Sequence, residues 1–393
     1  MKYNSRLIFK VEQQDIVCFL LAILPISASY KFFDFNIGLG TALIGIFSIY
    51  SVLSILSSKT IIIPLFILVQ YCYFIIRKLG YYTDITLLLA SLISMFTICQ
   101  GKINHSKLRN IIEIIALINS FLLFIQVFFH YIAGVNINYI IINWLNESSQ
   151  VGSNTGSLYR PSALFLEPAH FAQYCSIALL STLFPITGKR VKYVRAFLIS
   201  AGILLTTSGI GIVLSVGILG WYILFTKRKN GSKIIYLFFG ILSATIAGII
   251  LYQIPFIKLS ITRIFGKVDG YNALSGRLWA WNVTIKKMTG HTLIFGYGTD
   301  RFFDGYLTGL MQIIMNYGII GLILLILSFL YAINKNHNNF IFLGSIIYLG
   351  LIIVADVVSV YSMVFYTGII YTGIMDKKQN IIKTTVLNQL VEI

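Results

Sequence analysis

The chain alternates long apolar runs with short polar breaks. Runs long enough to cross a bilayer fall at 14–30, 37–57, 60–77, 83–100, 110–133, 168–186, 193–207, 209–226, 233–256, 306–333, 338–355 and 357–374. Most are near the ~20 residues that a spanning helix needs, and a few are shorter. Their centres are mostly apolar, with Gln70 and Asn119 as modest exceptions. The pattern predicts an all-α polytopic membrane protein of about twelve transmembrane helices. No soluble domain, low-complexity linker or internal repeat interrupts it, so residues 1–393 read as a single transmembrane domain. The pairs 193–207/209–226 and 338–355/357–374 are closely joined, and each pair reads as two spans or as one interrupted run.

Composition sets the solvent. Hydrophobic residues make up 57% of the chain and charged residues 11%, with a mean hydropathy of +0.84. A soluble domain carries roughly a quarter charged residues. This much apolar surface needs lipid around it.

The formal net charge of +17 would point to nucleic acid in a soluble protein. Here much of it sits in short loops between apolar runs, where it reads as a topology signal, so no nucleic-acid partner is expected. With the N-terminus in the cytoplasm, alternation puts three basic loops inside: Gln100–Asn110 (Lys102, Lys107, Arg109), Gly188–Arg195 and Thr226–Lys233. The C-terminal tail with Lys377, Lys378 and Lys383 also falls inside, whereas Arg77–Lys78 falls outside, against the trend. The basic start Met1–Lys10 resembles a signal peptide, but Ile26-Ser27-Ala28 is a poor cleavage site and a retained first helix is the better reading. These features predict a multi-pass protein of the bacterial cytoplasmic (inner) membrane. Cys18, Cys72, Cys99 and Cys175 lie in or beside apolar runs without metal-ligand spacing, and read as small apolar side chains.

The same alternation leaves two long extracytoplasmic loops, 134–167 and 257–303. The second holds Lys258, Arg263, Lys267, Arg277, Lys286, Lys287 and Arg301 against Asp269 and Asp300. Two readings stand: a solvated basic loop beside anionic headgroups, or a site for an anionic, lipid-linked substrate.

Four segments are candidates for chemistry. The first runs from Tyr159-Arg160-Pro161-Ser162 through Glu167-Pro168 to His170. Pro168 suits the first turn of a helix. Glu167 then sits at the helix mouth, where the dipole favours a carboxylate, and His170 follows three residues on, close enough to share a face. A helix cap with interfacial snorkelling is the alternative reading. The second segment, Leu274-Ser275-Gly276-Arg277 to His291, reads as an interfacial amphipathic helix with Ser275 as N-cap and Leu278, Trp281, Ile285 and Met288 on one face. Anchoring explains the tryptophans but not Arg277, a cation in a first turn where the dipole disfavours it. The third, Phe295-Gly296-Tyr297-Gly298 to Arg301 and Asp304, is a glycine-marked turn without the strand–helix context of a phosphate loop. Asp304 is either a cap or a catalytic carboxylate. The fourth, Thr206-Thr207-Ser208-Gly209, is a short turn between helices, read chiefly as a close-packing element. No HExxH, Walker, GxSxG or metal-ligand cluster is present, so neither a metal nor a cofactor is expected.

These segments resemble, in order, the O-antigen polymerase and ligase superfamily of Wzy-type polysaccharide polymerases. The matching residues are Arg160-Pro-Ser, Phe165-Leu-Glu-Pro168, Thr206-Thr-Ser-Gly209, Ser275-Gly-Arg277 with Trp281, Gly296-Tyr-Gly298, and Tyr306-Leu307 followed by Tyr317-Gly318-Ile-Ile-Gly321. They span roughly 159–321; the first five helices match in topology alone. The resemblance implies a metal-independent inverting glycosyltransferase of the large membrane-embedded (GT-C) type. Its donor and acceptor would be polyprenyl-pyrophosphate-linked oligosaccharides, and its pathway partners a flippase and a chain-length regulator. Arg160 and Arg277, with Arg263 and Arg301 in reserve, would hold the pyrophosphate. Glu167, His170 and Asp304 are candidate bases, in no fixed order.

Ligases of the superfamily carry a His-Asn pair where this chain has Phe303-Asp304, which weighs against the ligase alternative. The polymerases' arginine-based loop repeat does not match the spacing here. A flippase or other transporter is the alternative from another class.

Overall fold

The computed structural model describes residues 13–27, 30–32, 38–56, 103–135, 145–147, 159–165, 167–186, 190–225, 253, 258, 281–297, 307–335, 338–355 and 361–372. The expected spans at 60–77 and 83–100, and that at 233–256 apart from Gln253, lie outside the described residues. Helices dominate the rest: α1 (Gln13–Ser27), α2 (Leu39–Leu56), α3 (His105–Ala133), α4 (Pro168–Leu183), α5 (Tyr193–Leu205), α6 (Gly209–Phe225), α7 (Gly290–Phe295), α8 (Gly309–Lys335) and α9 (Asn339–Val354). Residues 281–287 and 361–372 are helical as well. Among the described residues the one departure from an all-α fold is a short antiparallel ribbon between β1 (Tyr30–Phe32) and β2 (Leu145–Glu147), in which Tyr30 faces Glu147.

Among the described residues two helices, His105–Ala133 and Gly309–Tyr331, are long and apolar enough to cross a membrane by length and composition. The closely joined runs at 193–207 and 209–226 are two separate helices, α5 and α6. The turn between them is closed by hydrogen bonds from Thr206 Oγ1 to Ile203 O and from Ser208 N to Thr206 Oγ1.

Local signals explain the helix ends. The Asn104 side chain accepts from Lys107 N at 3.0 Å and starts α3, and Gly134, at φ 68°, ends it in the left-handed region. Asn338 caps α9 through Phe340 N.

Helix α4 is central. Ala169 and His170 are its only residues not buried. Phe171, Tyr174 and Cys175 are 1% exposed or less. A helix buried on nearly every side packs against neighbours all round. Small residues bring those neighbours close: a Cβ on Gly211 would meet Ala172 Cβ at 2.8 Å, and one on Gly202 would meet Ser120 Oγ at 2.7 Å.

Contacts sort the helix ends into two groups. At one end, Lys107 pairs with Asp15, Arg109 bonds to Phe184 O, Lys192 and Arg195 reach Glu113, and His105 meets Thr372. At the other end, β1 pairs with β2, Tyr30 Oη donates to Leu164 O, Thr41 meets Tyr361, and Gly309 N donates to Ala355 O.

One reading is corrected here. Arg109 is not a loop charge: it lies inside α3, 3% exposed. Its guanidinium donates to Ser181 Oγ, Ser181 O and Phe184 O and stands 4.0 Å over the Phe340 ring.

Candidate functional site

The site begins with a chain segment that does not stay at the surface. Asn119 is the middle residue of the 29-residue helix α3, 14 residues from either end. At 1.5 Å per residue it lies about 21 Å along the helix axis. Asn119 Oδ1 accepts the Leu164 N–H at 3.3 Å. Seven residues further along α3, Gln126 Oε1 accepts the Ala163 N–H at 2.9 Å, and its backbone carbonyl accepts the Tyr159 hydroxyl at 3.1 Å. Residues 159–165 therefore fold inward against the middle and C-terminal half of α3. The sequence reads them as part of the loop 134–167; in the fold this part of it packs against α3.

The segment is tightly held. Phe165 N donates to Ser162 O at 3.0 Å, while Ser162 Oγ donates to Phe165 O at 2.7 Å. Tyr159 stacks on His130 with ring centroids 3.8 Å apart. Phe165 is 0% exposed and packs on Phe171 and Tyr174. Ala163 adopts φ 52°, a left-handed conformation that costs a non-glycine residue about 1 kcal/mol or more. Such strain persists only where surrounding contacts over-determine it, as these do.

Helix α4 starts where this segment ends. Glu167 is its N-cap residue with extended backbone, Pro168 opens the helix, and the Glu167 side chain makes no capping bond. The carboxylate thus stands at the positive end of the helix dipole without being spent on the cap. Glu167 and His170 are both half-buried, and they lie at the one part of α4 that is not closed over. Arg160 is half-buried, with its Nε shielded from solvent. A guanidinium, a carboxylate and an imidazole are therefore carried by one short stretch, the last two of them at the mouth of α4. Arg160 can donate to a phosphate, and Glu167 or His170 can accept a proton.

The other candidates divide. Arg263, Arg277, Arg301 and Asp304 lie outside the described residues, as do Ser275, Leu278 and Gly298. Of the expected amphipathic face, Trp281 and Met288 pack inward but Ile285 is 47% exposed. Thr284, fully buried, takes the inward position instead. Trp281 Nε1 donates to Thr308 Oγ1 at 3.0 Å and packs against Leu307, Met311 and Met315, which pins this helix to the start of α8.

Two glycines from separate segments meet. Tyr297 N donates to Met315 O at 2.7 Å, so the turn after α7 docks on α8. There α8 is broken: Gly318 has φ 66°, ψ −171°. A Cβ on Gly318 would lie 2.1 Å from Ile294 O, and one on Gly296, at φ 80°, would lie 2.4 Å from Asn316 O. Only glycine allows this backbone approach. The Thr206-Thr207-Ser208 turn is buried and serves packing.

Sequence reasoning missed Gln126 altogether and noticed Asn119 only as a polar exception. A polar residue within an apolar helix was the available signal. Among the described residues no cluster of three metal-ligating side chains occurs. No family model matches the chain, and no curated protein or solved structure matches it.

Proposed function

We propose that the protein is a polysaccharide polymerase of the cytoplasmic membrane. It would join polyprenyl-pyrophosphate-linked oligosaccharide repeat units on the outer face, building O-antigen, capsule or exopolysaccharide. In this reading the chain crosses the membrane about twelve times, with both termini in the cytoplasm. The observation that carries it is the segment 159–170. It carries Arg160, Glu167 and His170, all half-buried, on one stretch whose backbone is tied to α3 by buried hydrogen bonds of Tyr159, Ala163 and Leu164. The ordered resemblance of the sequence segments to Wzy-type polymerases supplies the substrate class.

The chemistry needs no redox partner. A sugar hydroxyl of the incoming lipid-linked unit attacks the anomeric carbon of the growing chain from the face opposite the pyrophosphate. The new glycosidic C–O bond forms as the bond to pyrophosphate breaks, with inversion. The hydroxyl proton passes to a base, for which Glu167, His170 and Asp304 are the candidates. Polyprenyl pyrophosphate leaves with the bonding pair, and arginine donors offset its charge. Arg160 from the first loop and Arg277 from the second fill that role, with Arg263 and Arg301 in reserve.

A lipid-linked oligosaccharide flippase is the second reading. The break in α8 and the non-helical segment 159–165 packed against the middle of α3 favour it, because transporters build sites from discontinuous helices. Deleting the gene separates the two. A polymerase-null cell displays single repeat units on its surface glycan, whereas a flippase-null cell displays none. Arg160→Ala and Arg277→Ala at matched protein level should each lower polymerisation by about 10²-fold, the usual effect of removing one preorganised donor. Full-length polymer from both variants would remove these arginines from the site.

A further inference from the structure

We infer that Gln126 and Asn119 are positioning residues, which hold the Arg160 segment folded into the helix bundle in the geometry the reaction uses. The functional half of this claim rests on the polymerase reading; the structural half does not.

Helix α4 has 16 residues, about 24 Å of length against a hydrocarbon core of about 30 Å. Backbone without helical hydrogen bonds must therefore supply the rest of that crossing. In lipid, such backbone is tolerated only when its N–H and C=O groups find partners within the protein. Here the Ala163 and Leu164 N–H groups and the Leu164 carbonyl find partners on side chains of α3 and β1. Gln126 Oε1 takes the Ala163 N–H, Asn119 Oδ1 takes the Leu164 N–H, and Leu164 O accepts from Tyr30 Oη. Both amides are 1% exposed. Asn119 Nδ2 donates to Ile115 O in its own helix, and Gln126 Nε2 has no hydrogen-bond partner among the described residues. The carbonyl oxygens of the two side chains are thus what reach the segment. Ala163, at φ 52°, is the strained residue that Gln126 fixes. Releasing it lets the turn relax, and Arg160 and Glu167 on either side of it lose their placement.

The test uses the purified full-length chain in detergent and reads thiol labelling first. Ser162, 2% exposed, is replaced by cysteine as a reporter of segment opening. The chain without Ser162→Cys corrects for its own cysteines, of which Cys18 and Cys175 are buried. Gln126→Met keeps the volume and removes the acceptor. It should raise maleimide labelling of the reporter about tenfold, the equilibrium worth of one buried hydrogen bond. Gln126→Glu keeps an acceptor oxygen in either protonation state and should bring labelling back down. Asn119→Leu should act like Gln126→Met, and stands in for it should that variant fail to fold. In cells, without the reporter cysteine, surface polymer should shorten in Gln126→Met and recover in Gln126→Glu.

Unchanged labelling in both Gln126→Met and Asn119→Leu would overturn the tether. Opened segments with full polymer length, in a strain where Arg160→Ala shortens it, would overturn the positioning role. Full polymer from Arg160→Ala and Arg277→Ala would instead overturn the polymerase site. In that case the role in catalysis falls while the tether, read by labelling, stands.

Discussion

Glu113 is 3% exposed and answers to three cations. Its Oε2 takes Lys192 Nζ and Arg195 Nη1, and its Oε1 takes Ser181 Oγ, which in turn accepts from Arg109 Nε. Arg109 is buried, whereas the Lys192 and Arg195 side chains are 32% and 38% exposed. Removing the carboxylate strands a buried guanidinium, so Glu113→Ala should cost about 3 kcal/mol. Lys192→Ala removes a partly solvated partner and should cost about 1 kcal/mol or less. Thermal unfolding of the two variants in detergent orders them, and equal losses would contradict the account. At this scale the sequence was legible in part. Arg160, Glu167 and Pro168 stood out because charge beside a helix-starting proline has a local meaning. Arg109 was misplaced and Gln126 unseen for a shared reason: each is explained by a partner far along the chain. Arg109 meets Ser181 across 72 residues and Gln126 meets Ala163 across 37, and no local pattern encodes such pairings.

Between elements, the join of α7 to α8 depends on two glycines. Gly296 and Gly318 both have positive φ, and each faces the other segment's backbone at a distance that excludes a Cβ. Alanine at either position meets backbone rather than a flexible side chain, so the two elements must separate. Each substitution should cost about 3 kcal/mol or more, adding the strained conformation to the clash. Gly217 lies within α6 with nothing inside 4 Å of an added Cβ, so Gly217→Ala should shift stability by about 1 kcal/mol or less. Unfolding midpoints of the three variants measure the contrast; a Gly318→Ala protein as stable as Gly217→Ala would mean that the interlock is absent. The helices themselves were readable, because length and apolarity are properties of single segments. The break in α8 was not. Gly318 does not interrupt the apolar run 306–333, and its conformation is imposed by α7 packed against it.

For the whole molecule, the two groups of helix ends bear on the topology that charge alone proposed. Alternation from a cytoplasmic N-terminus puts the starts of α1, α3 and α5 and the end of α4 on one side. The contacts among Asp15, Lys107, Arg109, Phe184 and Lys192 gather those same ends. It puts the end of α1, the loop after α3 and the start of α8 on the other side, where β1 meets β2 and Gly309 meets Ala355. Charge assigns the sides and the contacts assign only the grouping, so the two are independent. Arg109 weakens the charge count at the inner side, since it is buried, but Lys192 and Arg195 remain partly exposed there. Two exposed positions test the assignment: Val135, just past the Gly134 cap of α3, and Arg190, just before α5. A cysteine at Val135 should react with a membrane-impermeant maleimide on intact spheroplasts. A cysteine at Arg190 should react only after permeabilisation. The reverse pattern would invert the molecule and put the Arg160 segment on the cytoplasmic face, where polymerisation on the outer face has no access to it. Labelling of both from outside would break the alternation itself, since among the described residues the polypeptide between them includes one helix, α4, and one crossing is what the alternation puts between the two positions.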